Sequence, residues 1–257
     1  MRTSRIDEMD DYLMEHKSAT IDELCALYGI SVNTVRRDLN ALVARGSVKK
    51  VYGGAVSLRT PASDDRMKPT EFRERLLRNK KAKSVIASAA ASFVSEGDII
   101  FLDSGSTVYR VIKHLKGISG ITVITNSIAA VNEAMAFPDI NLIVIPGILK
   151  RSTASTFGTN CVDFLENYNI DVAFLACTAI SEQFYVCNSF IEESALKKAV
   201  LEKSNKSCLL ADSSKFGKSA LMTYGMVDDF DAIITDRKPE SSFQEGCRER
   251  NCKIIVA

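Results

Sequence analysis

The fifteen residues Phe101–Leu115, FLDSGSTVYRVIKHL, carry three signals in succession. An apolar run, IIFL (99–102), stops at Asp103. Small residues follow, Ser104-Gly105-Ser106-Thr107, and then VYRVIKHL sets apolar residues at helical spacing. A short apolar run that ends in a tight polar turn and passes into a helix is the building unit of an α/β sheet. Downstream the unit recurs. ITVIT (121–125), NLIVI (141–145), VAFLAC (172–177), SCLLA (207–211), DAIIT (231–235) and KIIVA (253–257) are all of strand length. Helical stretches lie between most of them, such as SIAAVNEAM and ESALKKAVLEK, and KSVIASAAASFV precedes the first. Unbroken apolar strands alternating with helices predict a mostly parallel sheet covered on both faces, spanning 71–257.

Upstream the pattern changes. Residues 61–70, PASDDRMKPT, hold two prolines and mixed charges and read as a linker. Residues 1–60 hold short helices. Thr20-Ile21-Asp22-Glu23 is a capping box, ELCALY continues it, and Gly29 offers a helix stop. Ser31 caps a second helix, VNTVRRDLNALVARG, that ends before Gly46. Two helices joined by a turn with glycine have helix-turn-helix spacing. On the second helix Val35, Leu39 and Leu42 share one face, and Asn33, Arg36, Arg37 and Asn40 the other. Amides and guanidiniums suit base edges and phosphates in a DNA major groove. After Gly46, SVKKVYGGAVSL reads as a hairpin wing with Lys49, Lys50 and Tyr52 near the DNA backbone. Residues 1–30 carry three Lys/Arg and seven Asp/Glu, whereas 31–60 carry six Lys/Arg and one acid. The positive half is the half that would face phosphates.

The totals constrain less. There are 257 residues, 46% of them hydrophobic, with a net charge of +1, so no global charge demands a nucleic-acid or membrane partner. No apolar stretch is long enough to span a membrane. The N-terminal MRTSRIDEMDDYLMEH lacks an apolar signal core, which points to a cytoplasmic protein. Seven scattered cysteines without a CxxC pair, and two histidines, read as reduced thiols with no metal site and no cofactor.

The run ISVNTVRRDLNALVARGSVKKVYGGAV resembles the start of DeoR-type (deoxyribose-repressor-like) bacterial transcription regulators. Ser31, Thr34, Val35, Arg36, Arg37, Asp38 and Leu39, then Gly53, Gly54 and Ala55, match that family's recognition helix and wing. Tyr52 stands where the family's wing has His. The resemblance implies DNA contacts from Ser31, Asn33, Thr34, Arg36, Arg37, Asn40, Lys49, Lys50 and Tyr52. Asp38, an acid, suits orienting Arg36 or Arg37 or pairing inside the module.

In open α/β sheets ligands bind beyond the carboxyl ends of the strands. Small residues at Asp103-Ser104-Gly105-Ser106-Thr107 let backbone amides approach an anion; the same loop also fits a plain capped turn. Other strands end in Asn126-Ser127, in Pro146-Gly147 with Lys150 close behind, in Thr178, and in Asp212-Ser213-Ser214-Lys215. Carboxylates Asp103 and Asp212 with Lys215 suit a polyhydroxylated, phosphorylated molecule. Phe72-Arg73-Glu74-Arg75, GDIIFLDSGST, TVITNS and LLADSSKFG resemble the same family's effector domain, which is similar to ribose-5-phosphate isomerase. By that resemblance Asp103, Ser104, Gly105, Ser106, Thr107, Asn126, Ser127, Gly147, Asp212 and Lys215 line an effector pocket. Glu193 and Lys198 match a family Glu and Lys whose face is pocket, interface or a plain surface pair. Two departures imply a smaller, differently placed or degenerate pocket. Pro146-Gly147 replaces Gly-Gly, which removes one donor, and Ala176–Ile180 replaces Gly-Ala-x-Gly-Ile.

Three functions fit: an effector-controlled transcription regulator, a sugar-phosphate isomerase-like enzyme with a fused DNA module, and a constitutive DNA-binding protein whose large domain only oligomerises. A fused DNA-reading module gives catalysis no obvious use, and fold likeness is weak support for a reaction. The preferred reading is therefore no enzyme. It is a repressor of a carbohydrate or polyol catabolic operon, a homodimer or homotetramer on a double-stranded operator, modulated by a phosphorylated sugar or polyol.

Overall fold

The computed structural model describes residues 5–16, 18–51, 53–57 and 70–257. The chain divides into two compact units, Met1–Asp64 and Asp65–Ala257. The expected 61–70 linker falls outside the described residues except for its last position.

The first unit holds helices Arg5–His16, Ile21–Tyr28 and Val32–Ala44. Thr20 and Glu23 form the reciprocal capping box: the Glu23 amide donates to Thr20 Oγ1 at 3.2 Å, and the Thr20 amide to Glu23 Oε2 at 2.7 Å. Gly29 ends that helix in the left-handed region at φ 64°. Strands Val48–Val51 and Gly54–Ser57 make the wing hairpin, and Ser18–Thr20 adds a third antiparallel strand. Gly54 is needed there, because a Cβ would lie 2.3 Å from the Ala19 carbonyl oxygen. Met9, Leu13, Leu24, Val35, Leu39 and Leu42 form a small core of their own. The unit is a winged helix-turn-helix.

All seven apolar runs of the second unit become strands of one parallel sheet. Its order is Lys253–Val256, Ala232–Thr235, Ser204–Leu210, Ile170–Ala176, Ile99–Leu102, Thr122–Thr125, Asn141–Val144. Strand residues alternate between two cores. Ile100 and Leu102 pack under helix Lys80–Ala91, while Phe101 faces Leu196, Val200 and Tyr224 on the opposite side. From Ile99–Leu102 the chain first builds outward to Asn141–Val144. It then returns beside its starting strand and builds the other way. The reversal lies between Ile99–Leu102 and Ile170–Ala176, the crevice where open α/β sheets bind ligands.

One local reading changes, and two elements appear that the sequence pattern did not announce. VYRVIKHL forms a 3-10 helix, Val108–His114, rather than an α-helix. Its buried Val108 and Val111 sit three apart, the side-chain repeat of that tighter helix. Ile148–Lys150 and Ser155–Phe157 form a hairpin. The segment SEQFYVCN belongs to a small antiparallel sheet, Ala179–Ile180, Tyr185–Asn188 and Met222–Met226.

Candidate functional site

On the recognition helix Asn33, Arg36, Arg37 and Asn40 are exposed, opposite buried Val35, Leu39 and Leu42. Ser31 caps the helix, its Oγ accepting from the Thr34 amide at 3.4 Å and lying 3.0 Å from Thr34 Oγ1, so this pair fixes where the helix starts. Lys49 and Lys50 are exposed on the wing, and Lys50 Nζ donates to Asn40 Oδ1. Tyr52 lies outside the described residues. Asp38 is buried and pairs chiefly with Arg5, whose Nη2 is 2.6 Å from Oδ2; Arg37 Nε is 3.9 Å away. This acid ties the first helix to the third.

The second unit has a cavity of about 80 Å³ at the sheet's point of reversal. Its walls come from four stretches: Arg75 to Lys83; Ser104 to Thr107; Ala176 to Thr178 with Asn188 to Lys197; and Leu210 to Lys215. Gly105 has no room for a side chain, since a Cβ would sit 2.4 Å from Ala176 Cβ across the reversal point. Beneath the cavity lies a buried polar network. Asp103 Oδ2 accepts from Lys197 Nζ and from the Ala176 amide, both at 2.9 Å. Lys197 also donates to the Ala176 carbonyl at 2.6 Å. Glu193 Oε2 accepts from Asn188 at 2.7 Å, and its Oε1 from Ser104 Oγ at 3.3 Å.

At the opposite wall Asp212 Oδ1 accepts from Asn79 Nδ2 at 2.9 Å and from the Ser214 amide at 3.1 Å. Burial works against its charge, but Lys215, Ser214, Lys83 and Asn79 together hold the carboxyl below its ordinary range. Burial brings Lys83 down to about 7 against the pull of Asp212, and its Nζ donates to the Arg75 carbonyl. Burial also lowers Lys215 and Arg75. It pushes the Cys177 thiol up to about 12, so Cys177 stays protonated.

Of the sequence-derived effector residues, Ser104, Gly105, Ser106, Thr107, Thr178, Glu193, Asp212 and Lys215 line this cavity, and Asp103 supports it from beneath. Four lie elsewhere, because their strands end two or three places from the reversal point. Asn126 Nδ2 donates to the Thr156 carbonyl, and Ser127 caps helix Ile128–Ala134. At Gly147 a Cβ would meet the Phe157 carbonyl oxygen at 2.7 Å. Lys150 pairs with Glu192 at 2.7 Å behind the wall residue Phe190, with Nζ 4.4 Å from that ring. The lysine that partners the Glu193 region is Lys197, one turn on, and not the exposed Lys198. Sequence reading also passed over Arg75, Asn79 and Lys83 as wall residues. The helix breaks at Arg78-Asn79 between them, so no single helical spacing marks them.

Comparison with known proteins covers both units. A profile for the DeoR-like helix-turn-helix domain matches residues 5–60, and one for the DeoR C terminal sensor domain matches residues 78–237. The HTH-type transcriptional regulator IolR of Bacillus subtilis (strain 168) is 36% identical over the whole of both chains. The HTH-type transcriptional repressor GlcR of the same organism is 29% identical, over 96% of this chain and 93% of that one. The glycerol-3-phosphate regulon repressor of Escherichia coli (strain K12) is 27% identical, over 98% of each. Among solved structures, ribose 5-phosphate isomerase A of Methanocaldococcus jannaschii aligns at a TM-score of 0.41 and 23% identity, covering 54% of this chain and 55% of that one.

Proposed function

Because the chain belongs to the DeoR family of helix-turn-helix transcription regulators, we propose that it is a cytoplasmic repressor of a carbohydrate or polyol catabolic operon, relieved by a phosphorylated sugar or polyol bound in the sheet cavity. The carrying observation is the cavity's charge. Arg75, Arg78, Lys83, Lys197 and Lys215 outnumber Glu193, Asp212 and the underlying Asp103. That is a surplus of two cations with Lys83 protonated and of one with it neutral, and either suits a phosphoryl group, which carries about −1.5 to −2 at neutral pH. Hydroxyls on Ser106 and Thr107 add donors. A relative named for a glycerol-3-phosphate regulon is consistent with a signal of this class.

The action is linkage. A homodimer or homotetramer presents paired recognition helices to paired half-sites, and the effector shifts DNA affinity by binding one arrangement more tightly than the other. An isomerase reading has less support. Asp103 is bound to Lys197, Glu193 to Asn188 and Ser104, and Asp212 to Asn79 and Ser214, so each of these cavity carboxylates already accepts from protein donors.

The test is a thermal-shift screen of the full chain against sugar and polyol phosphates and their unphosphorylated parents, followed by anisotropy on the chain's own upstream DNA. One phosphorylated compound should raise the melting temperature and release DNA at the same concentration. Stabilisation by the unphosphorylated parent alone, or none across the panel, sinks the phosphate reading.

A further inference from the structure

We propose that Arg75 and Arg78 form an anion subsite that takes the phosphoryl group, and that filling it locks helix Phe72–Leu77 onto the sheet. This rests on the effector reading above and adds which segment binding orders. Arg75 Nε and Nη2 and Arg78 Nε are buried and have no hydrogen-bond partner among the described residues. Leaving buried donors unpaired is costly, and a native chain retains them where a ligand completes them. Most other charged wall groups behave differently, Lys215 excepted, whose ammonium lies within the electrostatic reach of Asp212. Lys197, Lys83, Glu193 and Asp212 each have protein partners. Arg78 Nη2 reaches Glu74 at 3.6 Å, so the donors left over are Arg78 Nε and two of the Arg75 nitrogens. The planar forks of the two arginines match the oxygens of a phosphate monoester, and the facing Ser104–Thr107 loop closes the other side.

The placement of these arginines gives the subsite a second role. Phe72–Leu77 is the first described helix after the DNA-binding unit along the chain. At six residues it is too short to hold itself. Its anchors sit at its two ends and on one carbonyl: Phe72 is buried beside Tyr109 and its amide donates to the Ser152 carbonyl at 2.8 Å, Lys83 donates to the Arg75 carbonyl, and Asn79, in the left-handed region at φ 51°, donates to Asp212. Leu77 is 67% exposed. A segment so lightly anchored opens at low cost, and an anion that clamps two of its side chains to the sheet loop raises that cost. Order in this helix is then set by occupancy of the cavity.

The test uses the full chain with inorganic phosphate as probe and sodium chloride of equal ionic strength as control. Hydrogen exchange is read by mass spectrometry on peptides covering 70–83, with a thermal-shift titration alongside. Phosphate should slow exchange across Phe72–Asn79 in the natural chain. Arg75→Gln with Arg78→Gln should abolish the slowing and weaken phosphate binding by about 10- to 100-fold, the loss that charge-assisted hydrogen bonds carry. Arg75→Lys should fall between, keeping charge without the fork. If the double variant unfolds, Arg78→Gln alone serves, since its side chain is 39% exposed. Phosphate that binds equally well to the variants overturns the subsite while leaving the effector cavity standing. Phosphate that binds the natural chain without slowing exchange overturns the locking. A natural chain on which neither phosphate nor any sugar phosphate registers overturns both readings.

Discussion

Asp103 sits at the first position after a central strand, where the sequence marks it as a ligand-binding acid. Its surroundings give it a different task. The residue is 2% exposed, Lys197 is 4% exposed, and each supplies the other's countercharge. Removing one partner of a buried pair leaves a bare charge and costs about 3–5 kcal/mol. Set against the ~5–15 kcal/mol that holds a domain together, that is a large share. Asp103→Ala should therefore lower the urea midpoint of the sheet unit sharply. Asp103→Asn, which still accepts from the Ala176 amide, should cost less, and Lys197→Met should relieve part of the Asp103→Ala loss. Equal stability of Asp103→Ala and the natural chain would show that the pair does not carry the fold. A blunted effector response in Asp103→Ala is for that reason a poor marker of the pocket, and the arginine variants are the better ones. Sequence alone could place Asp103 at a strand end. It could not see Lys197, which reaches it only because helix Ile191–Lys203 lies over the neighbouring strand.

Helix Lys80–Ala91 shows the same division at the level of an element. Its Ile86, Ala87 and Ala90 bury against the sheet, as the alternation of small and branched apolar residues predicts. Lys83 shares that buried face, and burial brings it down to about 7 from 10.5. Asp212 pulls it up, while Lys215, Arg110 and Arg75 push it down. An unfolded chain keeps this proton up to about pH 10.5 and the folded chain loses it near 7. Between those values the unfolded state binds more protons, and stability from this group rises with pH. An anion in the cavity acts the other way, because it favours the charged ammonium. Binding of sulfate, which itself takes up no proton near neutrality, should draw a proton onto Lys83 and weaken as pH rises above 7. Calorimetry in buffers of different ionisation heat reads that proton directly, and Lys83→Met should erase it. An uptake unchanged in Lys83→Met would assign the proton elsewhere. The strands were legible because each is an unbroken apolar run, and the recognition helix because its cap, its glycine stop and its two faces are all local. The antiparallel sheet around Tyr185–Asn188 and the hairpin at Ile148–Lys150 were not. Their strands are too short to show a pattern, and Tyr185–Asn188 takes its register from Met222–Met226, far along the chain. Lys198 was chosen over Lys197 for a related reason: a resemblance supplies a residue type, whereas the helix repeat decides which lysine faces the sheet.

At the scale of the whole molecule the two units have separate hydrophobic cores and separate chemistry. Exposed Arg36 and Arg37 face away from the first core, so truncating them removes no packing, and buried Asp38 keeps its closer partner Arg5 when Arg37 is lost. Each DNA phosphate left without its arginine should lower the slope of log affinity against log salt by about 0.9. Any base that either arginine reads adds about 1–3 kcal/mol of forfeited discrimination. The double variant Arg36→Ala, Arg37→Ala should therefore lose specific operator binding, yet melt as the natural chain does and keep its full stabilisation by the effector. Its converse, Arg78→Gln, should bind operator normally and fail to release it when the effector is added. Anisotropy on operator DNA and thermal shift on the same samples measure both halves. Modularity with coupling demands that opposite pattern, because each variant touches one function. A loss of effector stabilisation in the Arg36→Ala, Arg37→Ala chain would mean that the two units share one folding transition, and the recognition helix would have to be counted among the determinants of the cavity.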